Sequence, residues 1–360
     1  MDSRQHQPHL FAPFQIRDVA FRNRIGVSPM CEYSSTDGFA NDWHLVHLGS
    51  RAVGGASLVL TEAAAVTPEG RISPSDLGIW KDEHIEMLAH IFHFVEKQGA
   101  VPGMQLAHAG RKASTDVPWQ GGAPVDDTKG GWTPILAPSA MPFSEGYQTP
   151  RELHREEIWD LTKAFTAAAK RALAAGCKVV EVHAAHGYLL HEFLSPLSNR
   201  RDDEYGGPFA NRCRAVHEVV SAVREVWPER YPLFVRISAS DWVEGGWTIE
   251  DSVALAASLK PLGVDVIDCS SGGNVPKAKI PVGPGYQVPF SERVRLEAGI
   301  STAAVGMITE HEQADRIIRD HQADFVFLAR EFLRDPYWPL HAATALEQEA
   351  PIPVQYQRAF

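Results

Sequence analysis

The densest group of polar side chains in this 360-residue sequence lies at residues 183–188, which read His-Ala-Ala-His-Gly-Tyr. The imidazoles of His183 and His186 could donate hydrogen bonds to a carbonyl oxygen, and the Tyr188 phenol could deliver a proton beside it. Zinc binding is the competing interpretation. The metalloprotease pattern H-E-x-x-H places a glutamate after the first histidine, whereas only alanines separate these two histidines. The spacing therefore favours acid–base chemistry at a polarised oxygen.

A second unusual residue is Arg236, which interrupts the apolar run Leu233–Ser238. A permanently charged side chain is costly to bury without an anionic partner. That partner could be a bound anionic group, or an internal carboxylate such as Glu181 or Asp241. The sequence leaves both interpretations open.

Two later segments have the features of a phosphate site. Gly306-Met307 and Ala329-Arg330 each follow a short apolar run, and the glycines in Ser270–Gly273 add permissive backbone nearby. Barrel enzymes commonly bind phosphate at such positions through backbone N–H groups, a helix N-terminus and a cation. Together with the histidines and Arg236, these segments predict a phosphorylated cofactor beneath a small pocket.

The elements that must position these residues are eight short apolar runs of strand length. Because the runs are apolar on both faces, they predict a covered parallel sheet. The predicted strands are Arg24–Met30, Ser57–Glu62, Val101–Leu106, Val179–His183, Leu233–Ser238, Asp265–Cys269, Ser301–Val305 and Phe325–Ala329. Arg236 lies within the fifth of these strands, and the other polar groups described above lie at or just after a strand end.

A helical stretch follows each predicted strand. The predicted helices are Asp42–Val53, Asp82–Gln98, Arg155–Ala175, Asn211–Trp227, Thr248–Leu262, Ser291–Glu297 and Glu310–Arg319, with a last one after Asp335. Eight alternations predict an α/β fold, a (β/α)₈ TIM barrel formed by a single domain over residues 1–360. A doubly wound sheet would need G-x-G-x-x-G after the first strand, which ends instead in Ser28-Pro29-Met30-Cys31.

The third strand is followed by a long segment that stays irregular from His108 to about Pro150. A loop of this length inside a domain is usually functional, as a lid or a binding loop. The alternative is a solvated excursion with a small hairpin. The sequence does not decide between the two.

Composition limits the classes of function and location. A formal net charge of −11 argues against binding along a nucleic-acid backbone. There is no secretory signal pattern and no run of ~18 apolar residues, so we expect a cytoplasmic protein that does not enter a membrane. The four cysteines lack C-x-x-C spacing, so we predict free thiols and no metal site.

Several ordered motifs resemble one known family. They are Ser28–Cys31, Asn41–His44, His108–Lys112, His183–Tyr188 and Ser198–Arg201, and the resemblance extends over nearly the whole chain. Together they resemble the old yellow enzymes, which are FMN-dependent ene-reductases. Many members have threonine at the position of Cys31 and asparagine at that of His186. The residues found here resemble the bacterial thermophilic-like class, which includes the xenobiotic reductases.

The resemblance implies a non-covalent FMN at the C-terminal rim of the barrel. The implied FMN-binding residues are Pro29, Met30, Cys31, Ala63, Gln105, Arg236, Gly306, Met307, Ala329 and Arg330. Among them, Arg236 would stabilise negative charge near N1 of the reduced flavin, and the last four would hold the phosphate. Ala329 stands where relatives often have glycine.

The resemblance also implies a reaction. NADPH or NADH would reduce the flavin, and a small electrophilic alkene, such as an α,β-unsaturated carbonyl, nitroalkene or quinone, would then take the hydride. His183 and His186 would bind its oxygen and Tyr188 would protonate the α-carbon. Tyr33 and Lys112 would contact the substrate. The rival interpretations are a metal-dependent barrel hydrolase that uses the two histidines, and a non-catalytic flavin-binding barrel.

The last implication concerns assembly. In the thermophilic-like class, an arginine at the position of Arg358 reaches the active site of the neighbouring subunit. We therefore expect a homodimer or a dimer-based tetramer in which the tail, about residues 340–360, docks on a neighbour.

Overall fold

The computed structural model describes residues 9–359 and contains a closed barrel of eight parallel strands. The strands are β1 Ile25–Val27, β2 Leu58–Ala65, β3 Val101–Ala107, β4 Val179–Ala184, β5 Leu233–Ser238, β6 Val266–Ser270, β7 Ser301–Ala304 and β8 Phe325–Leu328. Sequence neighbours pair around the barrel, and β8 closes it against β1 through the pair Val326 and Ile25. The predicted (β/α)₈ barrel is confirmed, and all eight predicted strands overlap these elements.

Helices connect the strands on the outside of the barrel. They are α1 Asp42–Val53, α2 Ile85–Lys97, α3 Arg155–Ala174, α4 Leu189–Leu194, α5 Phe209–Val226, α6 Ile249–Leu259, α7 Val288–Ala298, α8 His311–Arg319, α9 Arg330–Arg334 and α10 Trp338–Ala345. Hydrogen bonds from capping side chains fix where several of these helices begin. Helix α6 follows Thr248, whose hydroxyl accepts the Asp251 N–H while the Asp251 carboxylate accepts the Thr248 N–H. The sequence did not predict the short helices α4 and α9.

Large apolar side chains fill the lower part of the barrel interior, which is the half nearer the N-terminal ends of the strands. The rings of Phe234, Phe325 and Phe327 pack there, and the hairpin of Phe14–Ile16 with Val19–Phe21 covers the N-terminal end. The Phe21 ring meets the Phe325 ring edge to face, with 5.0 Å between centroids. The sequence did not predict this hairpin. Because the lower end is packed solid, the opposite end of the barrel is where a site can form.

The long segment after β3 packs partly on that opposite end. It contains 3₁₀ turns at Gly110–Lys112, Pro118–Gln120 and Asp127–Lys129. The buried Ile135 joins Ala109 and Ala113 in a small apolar cluster that contacts Tyr188. The segment therefore forms one wall beside Tyr188, although Trp119 stays 68% exposed.

Among residues 9–359, no helix has the length and apolar character needed to cross a bilayer. The last described residues form an exposed segment that ends in a turn at Gln357–Ala359. Tyr356 in this segment packs against Tyr337, with 5.9 Å between their ring centroids.

Candidate functional site

The three residues predicted to be catalytic lie together where β4 ends. The ring centroid of His183 is 5.2 Å from that of His186 and 5.2 Å from that of Tyr188. His183 belongs to the strand, and Tyr188 immediately precedes α4. Between them, His186 and Gly187 have φ values of 60° and 71°, which bend the chain sharply. The bend turns all three rings toward one space.

Lys112 and His191 hold this bend in place. The Lys112 ammonium donates to the carbonyl oxygens of His186, at 2.8 Å, and of Gly273, at 2.5 Å. The Gly187 N–H donates to His191 Nδ1 at 2.8 Å. Because Nδ1 accepts this hydrogen bond, Nε2 is the ring nitrogen of His191 that carries a proton. Lys112, which the resemblance assigned to substrate binding, thus fixes the backbone beside the site.

A buried carboxylate completes the support of the bend. Asp241 Oδ1 lies 3.2 Å from His191 Nε2, and both side chains are fully buried. Its Oδ2 accepts the Ser195 hydroxyl at 2.5 Å and the Trp247 N–H at 2.8 Å. Burial alone would raise the pKa of Asp241, but His191 and these donors lower it to about 2. Asp241 is therefore ionised at neutral pH and orients His191.

The tight packing at Gly187 leads to a stability prediction. A Cβ atom there would lie 2.4 Å from the Gly273 carbonyl oxygen. Gly207 has a similar φ of 76°, but a Cβ atom there would have no neighbour within 4 Å. Gly207→Ala should therefore lose only the ~1–2 kcal/mol of the left-handed conformation, whereas Gly187→Ala should lose clearly more. Urea unfolding of both variants measures this difference, and equal losses would show that Gly273 does not constrain the bend.

The surroundings of Tyr188 keep its phenol protonated. Burial, with the negative charge that Cys31 and Tyr33 would carry, raises the pKa of Tyr188 well above its ordinary value. The Lys112 ammonium lies 5.3 Å from the centre of the ring. The phenol can therefore act as a proton donor at neutral pH.

The two histidines are neutral at neutral pH. Burial, reinforced by the positive charge of Arg236, lowers the pKa of both well below the ordinary value. The Nε2 atom of His186 is 2.7 Å from the Ser270 hydroxyl. The buried Nδ1 atom of His183 has no hydrogen-bond partner among residues 9–359. A buried polar atom without a partner is costly, so a ligand atom is the expected partner.

Arg236 pairs with a carboxylate that the sequence analysis did not name. Its Nε is 3.2 Å from Oδ2 of the fully buried Asp268, and its Nη1 donates to the Ser28 hydroxyl at 3.1 Å. Of the two carboxylates considered, Asp241 is paired with His191, whereas Glu181 lies near Arg236 and accepts from Gln105 Nε2 at 2.8 Å. Asp268 also interrupts an apolar run, a signal that sequence reasoning had used for Arg236 and had missed here.

The segment after β1 forms another side of the site. Pro29, Met30 and Cys31 are half-buried, and Ala63, near the C-terminal end of β2, is buried. Burial raises the pKa of the Cys31 thiol, which is hydrogen-bonded to Tyr33. Together these residues offer a largely apolar surface.

Tyr33 has a φ of 48°, and its ring lies 5.7 Å from the exposed indole of Trp119. The structure therefore places Tyr33 at the edge of this surface, between Cys31 and the long segment after β3.

A cavity of about 280 Å³ opens where β7 and β8 end. Its lining includes all four residues predicted to hold a phosphate, which are Gly306, Met307, Ala329 and Arg330. Other polar residues of the lining include Ser270, Tyr286 and Gln287. Because Ser270 also contacts His186, the cavity adjoins the group formed by His183, His186 and Tyr188.

The backbone of this cavity requires glycine at one position. Gly306 has a φ of 125°, and a Cβ atom there would lie 2.7 Å from Gln287 Nε2, which donates to the Val305 carbonyl at 2.8 Å. Ala329 has a φ of −111°, which lies outside the left-handed region that favours glycine. Arg330 supplies the cation. The size, the close backbone and the positive charge fit a phosphate group.

Arg358 is not part of this group of residues. It is exposed in the terminal turn and makes no hydrogen bond or ion pair within the described range 9–359. Over the same range, no set of three His, Cys, Asp or Glu side chains is arranged to hold a metal ion.

Comparison with known sequences gives one family. Residues 9–349 match the sequence model of the NADH:flavin oxidoreductase / NADH oxidase family. The chain is 51% identical over 353 residues to an NADPH dehydrogenase of Geobacillus sp. (strain WCH70), covering 98% of each chain. It is 48% identical over 353 residues to an NADPH dehydrogenase of Bacillus subtilis (strain 168), covering 98% of this chain and 99% of that one.

Solved structures resemble the fold over almost the whole chain. Morphinone reductase superimposes with a TM-score of 0.78 and 27% identity, covering 96% of this chain and 91% of that one. A 2-naphthoyl-CoA reductase complex gives a TM-score of 0.84 at 24% identity, which shows the fold alone. The present chain spans 52% of that longer protein.

Proposed function

The chain belongs to the NADH:flavin oxidoreductase / NADH oxidase family, and from this membership we propose that it is an ene-reductase acting on activated C=C bonds. Its cofactor is FMN and its reductant is a reduced nicotinamide. The proposed substrates are small electrophilic alkenes whose double bond is conjugated to an oxygen-bearing group. The relatives named NADPH dehydrogenase favour this chemistry over hydrolysis.

The residues at the rim fit FMN. Gly306, Met307, Ala329 and Arg330 would hold the phosphate in the 280 Å³ cavity, Arg236 would face the pyrimidine end with Gln105, and Pro29, Met30, Cys31 and Ala63 would line the ring site. When bound, FMN accepts a hydride from the nicotinamide and passes it to the alkene. Arg236 would stabilise the negative charge that this reduction creates.

The observation that carries the proposal is a buried hydrogen-bonding atom beside a protonated phenol. His183 Nδ1 has no partner among the described residues, and the Tyr188 ring lies 5.2 Å from the His183 ring. His183 and His186 would hold the substrate oxygen and draw electron density from the double bond, which makes the β-carbon electrophilic. Tyr188 would then protonate the α-carbon.

Isotope labelling tests this assignment. Turnover of cyclohexenone with nicotinamide carrying deuterium at the transferred position should place deuterium at the β-carbon. Turnover in D₂O with unlabelled nicotinamide should place it at the α-carbon, because the tyrosine proton exchanges with solvent. Product that carries no label from the nicotinamide would exclude the proposed hydride route. A protein that oxidises nicotinamide with oxygen but leaves the alkene unchanged would be an oxidase.

The histidines lead to a binding prediction. Each of His183→Ala and His186→Ala should weaken the binding of p-hydroxybenzaldehyde at least about tenfold, because a hydrogen bond to a charged oxygen contributes ~1.5–3 kcal/mol. The long-wavelength band formed by the phenolate over oxidised flavin reports the binding. His217→Ala is a suitable control, since His217 lies on α5 and contacts Ser258. An unchanged affinity in both site variants would remove the histidines from oxygen binding.

We also propose that Arg358 acts in the site of a neighbouring subunit of a homo-oligomer. Its exposure and its lack of a partner within residues 9–359 support this role. Arg358→Ala should raise KM while the oligomer persists, and truncation after Ala350 should weaken the oligomer. Kinetics and sedimentation measure both effects. Full activity from a monomeric truncated enzyme would contradict the proposal.

A further inference from the structure

A layer of polar side chains crosses the barrel interior, above the phenylalanines that fill the lower end. We call it the polar layer, and it consists of Ser28, Gln105, Glu181, Arg236 and Asp268. Strand register brings its members together, because Gln105 pairs with Glu181 across β3 and β4, and Arg236 pairs with Asp268 across β5 and β6. All five residues are buried.

The charges in the polar layer do not balance by themselves. Arg236 carries one positive charge, whereas Glu181 and Asp268 are both wholly buried carboxyl groups. Three carboxyl oxygens have no hydrogen bond within residues 9–359: both oxygens of Asp268, and Oε2 of Glu181. Asp268 Oδ2 nevertheless lies 3.2 Å from Arg236 Nε. A second buried carboxylate without a second cation is strongly disfavoured. The layer is neutral when the two carboxyl groups share one proton.

The electrostatics agree with one shared proton near neutral pH. Burial and then Asp268 raise the pKa of Glu181 to about 8, and burial raises the pKa of Asp268 to about 6. Arg236 also acts on His183 and His186, which are neutral because their pKa values are lowered, and on Tyr286, which stays protonated because burial raises its pKa. The register neighbours on the flanking strands are Ala63, beside Gln105, and Ala303, beside Asp268.

We propose that Glu181 and Asp268 form a proton-accepting pair for the FMN site, holding one shared proton beneath the oxidised cofactor and taking a second from solvent on reduction. This inference rests on the proposed FMN site. Negative charge arriving above Arg236 competes with Asp268 for the guanidinium and raises the proton affinity of both carboxyl groups. Protonation of Asp268 leaves Arg236 free to stabilise the new charge.

The step balances in atoms and charge. NAD(P)H transfers a hydride, which is two electrons and one proton, and becomes NAD(P)⁺. The flavin gains that hydride and one negative charge, while a solvent proton neutralises one carboxylate of the pair. When the alkene later takes the hydride, the carboxyl proton returns to solvent. The pair therefore tunes the cofactor and does not touch the substrate.

The reduction potential of the FMN-loaded protein tests the pair without nicotinamide or alkene. Each proton taken up with two electrons shifts the potential by about 30 mV per pH unit. Between pH 6 and 8, the interval bounded by the two pKa values, the wild type should show about 59 mV per pH unit, because two protons are taken up. Glu181→Gln, which imitates the protonated carboxyl, should retain this slope. The double variant Glu181→Gln/Asp268→Asn should fall to about 30 mV per pH unit.

A measurement on the unmodified protein covers the case in which the double variant does not fold. The reduced-minus-oxidised infrared spectrum should gain a carboxylic-acid C=O band that shifts when aspartate carries ¹³C in its side-chain carboxyl. A steep slope that persists in the double variant, or reduction without any such band, would overturn the proposal. A protein that binds no flavin would instead contradict the proposed function, so the two failures are distinguishable.

Discussion

Tyr188→Phe should slow alkene reduction by about 10²–10⁴-fold, the usual effect of removing a general acid, while the nicotinamide still reduces the flavin at the wild-type rate. In the proposed reaction only the second half-reaction needs a proton at the α-carbon, and Tyr188, whose ring lies 5.2 Å from that of His183, is the proposed donor. The phenyl ring keeps the apolar contacts with Ala109, Ala113 and Ile135, so folding should be preserved. Anaerobic stopped-flow measurements follow the two half-reactions separately.

Tyr205→Phe is the matched control for this experiment. The Tyr205 hydroxyl donates to Glu218 on α5 at 3.0 Å, and Tyr205 is buried. The control variant should therefore be somewhat less stable to unfolding, but the rates of both half-reactions should be unchanged. If Tyr188→Phe slowed both half-reactions to the same extent, the phenol would not be the specific acid.

Arg330→Ala should weaken FMN binding by at least about 100-fold. A guanidinium can donate two hydrogen bonds to a phosphate, and each bond between charged groups contributes ~1.5–3 kcal/mol. Titration of the apoprotein with FMN and with riboflavin isolates the phosphate contribution, because riboflavin lacks the phosphate. Only FMN affinity should fall, so the preference of the protein for FMN over riboflavin should shrink by the same factor.

Arg334→Ala is the control for the phosphate prediction. Arg334 also lies on α9 and borders the same cavity, but its guanidinium pairs with Glu331 and its side chain is 60% exposed. It should change FMN affinity little. A proportional loss of FMN and riboflavin affinity in Arg330→Ala would show that Arg330 supports the fold of the rim and does not bind the phosphate.

The barrel could be predicted from sequence because its strands are short, continuous apolar runs. The rim residues could be located for a related reason, since strand ends meet at one edge of a parallel barrel. His183, His186 and Tyr188 are also neighbours in the chain, so their meeting required only a local bend. The cavity at the ends of β7 and β8 likewise contains the four residues placed there by the strand-end rule.

The supports of the site could not be predicted, because they depend on long-range contacts. His191 meets Asp241 across 50 positions of sequence, from 191 to 241, and Arg236 meets Asp268 across 32, from 236 to 268. No local spacing encodes such pairs. The short helices α4 and α9 were not predicted for a different reason. Their six and five residues are too few to show helical periodicity.

One anaerobic absorbance experiment tests most directly whether this protein passes electrons from a reduced nicotinamide through FMN to an activated alkene. The purified protein should be yellow, should bleach on addition of NADPH or NADH, and should recover its colour when cyclohexenone is added without oxygen, with cyclohexanone formed in equal amount to the flavin reoxidised. A colourless protein without flavin, or a bleached flavin that regains its colour only with oxygen, would contradict the account.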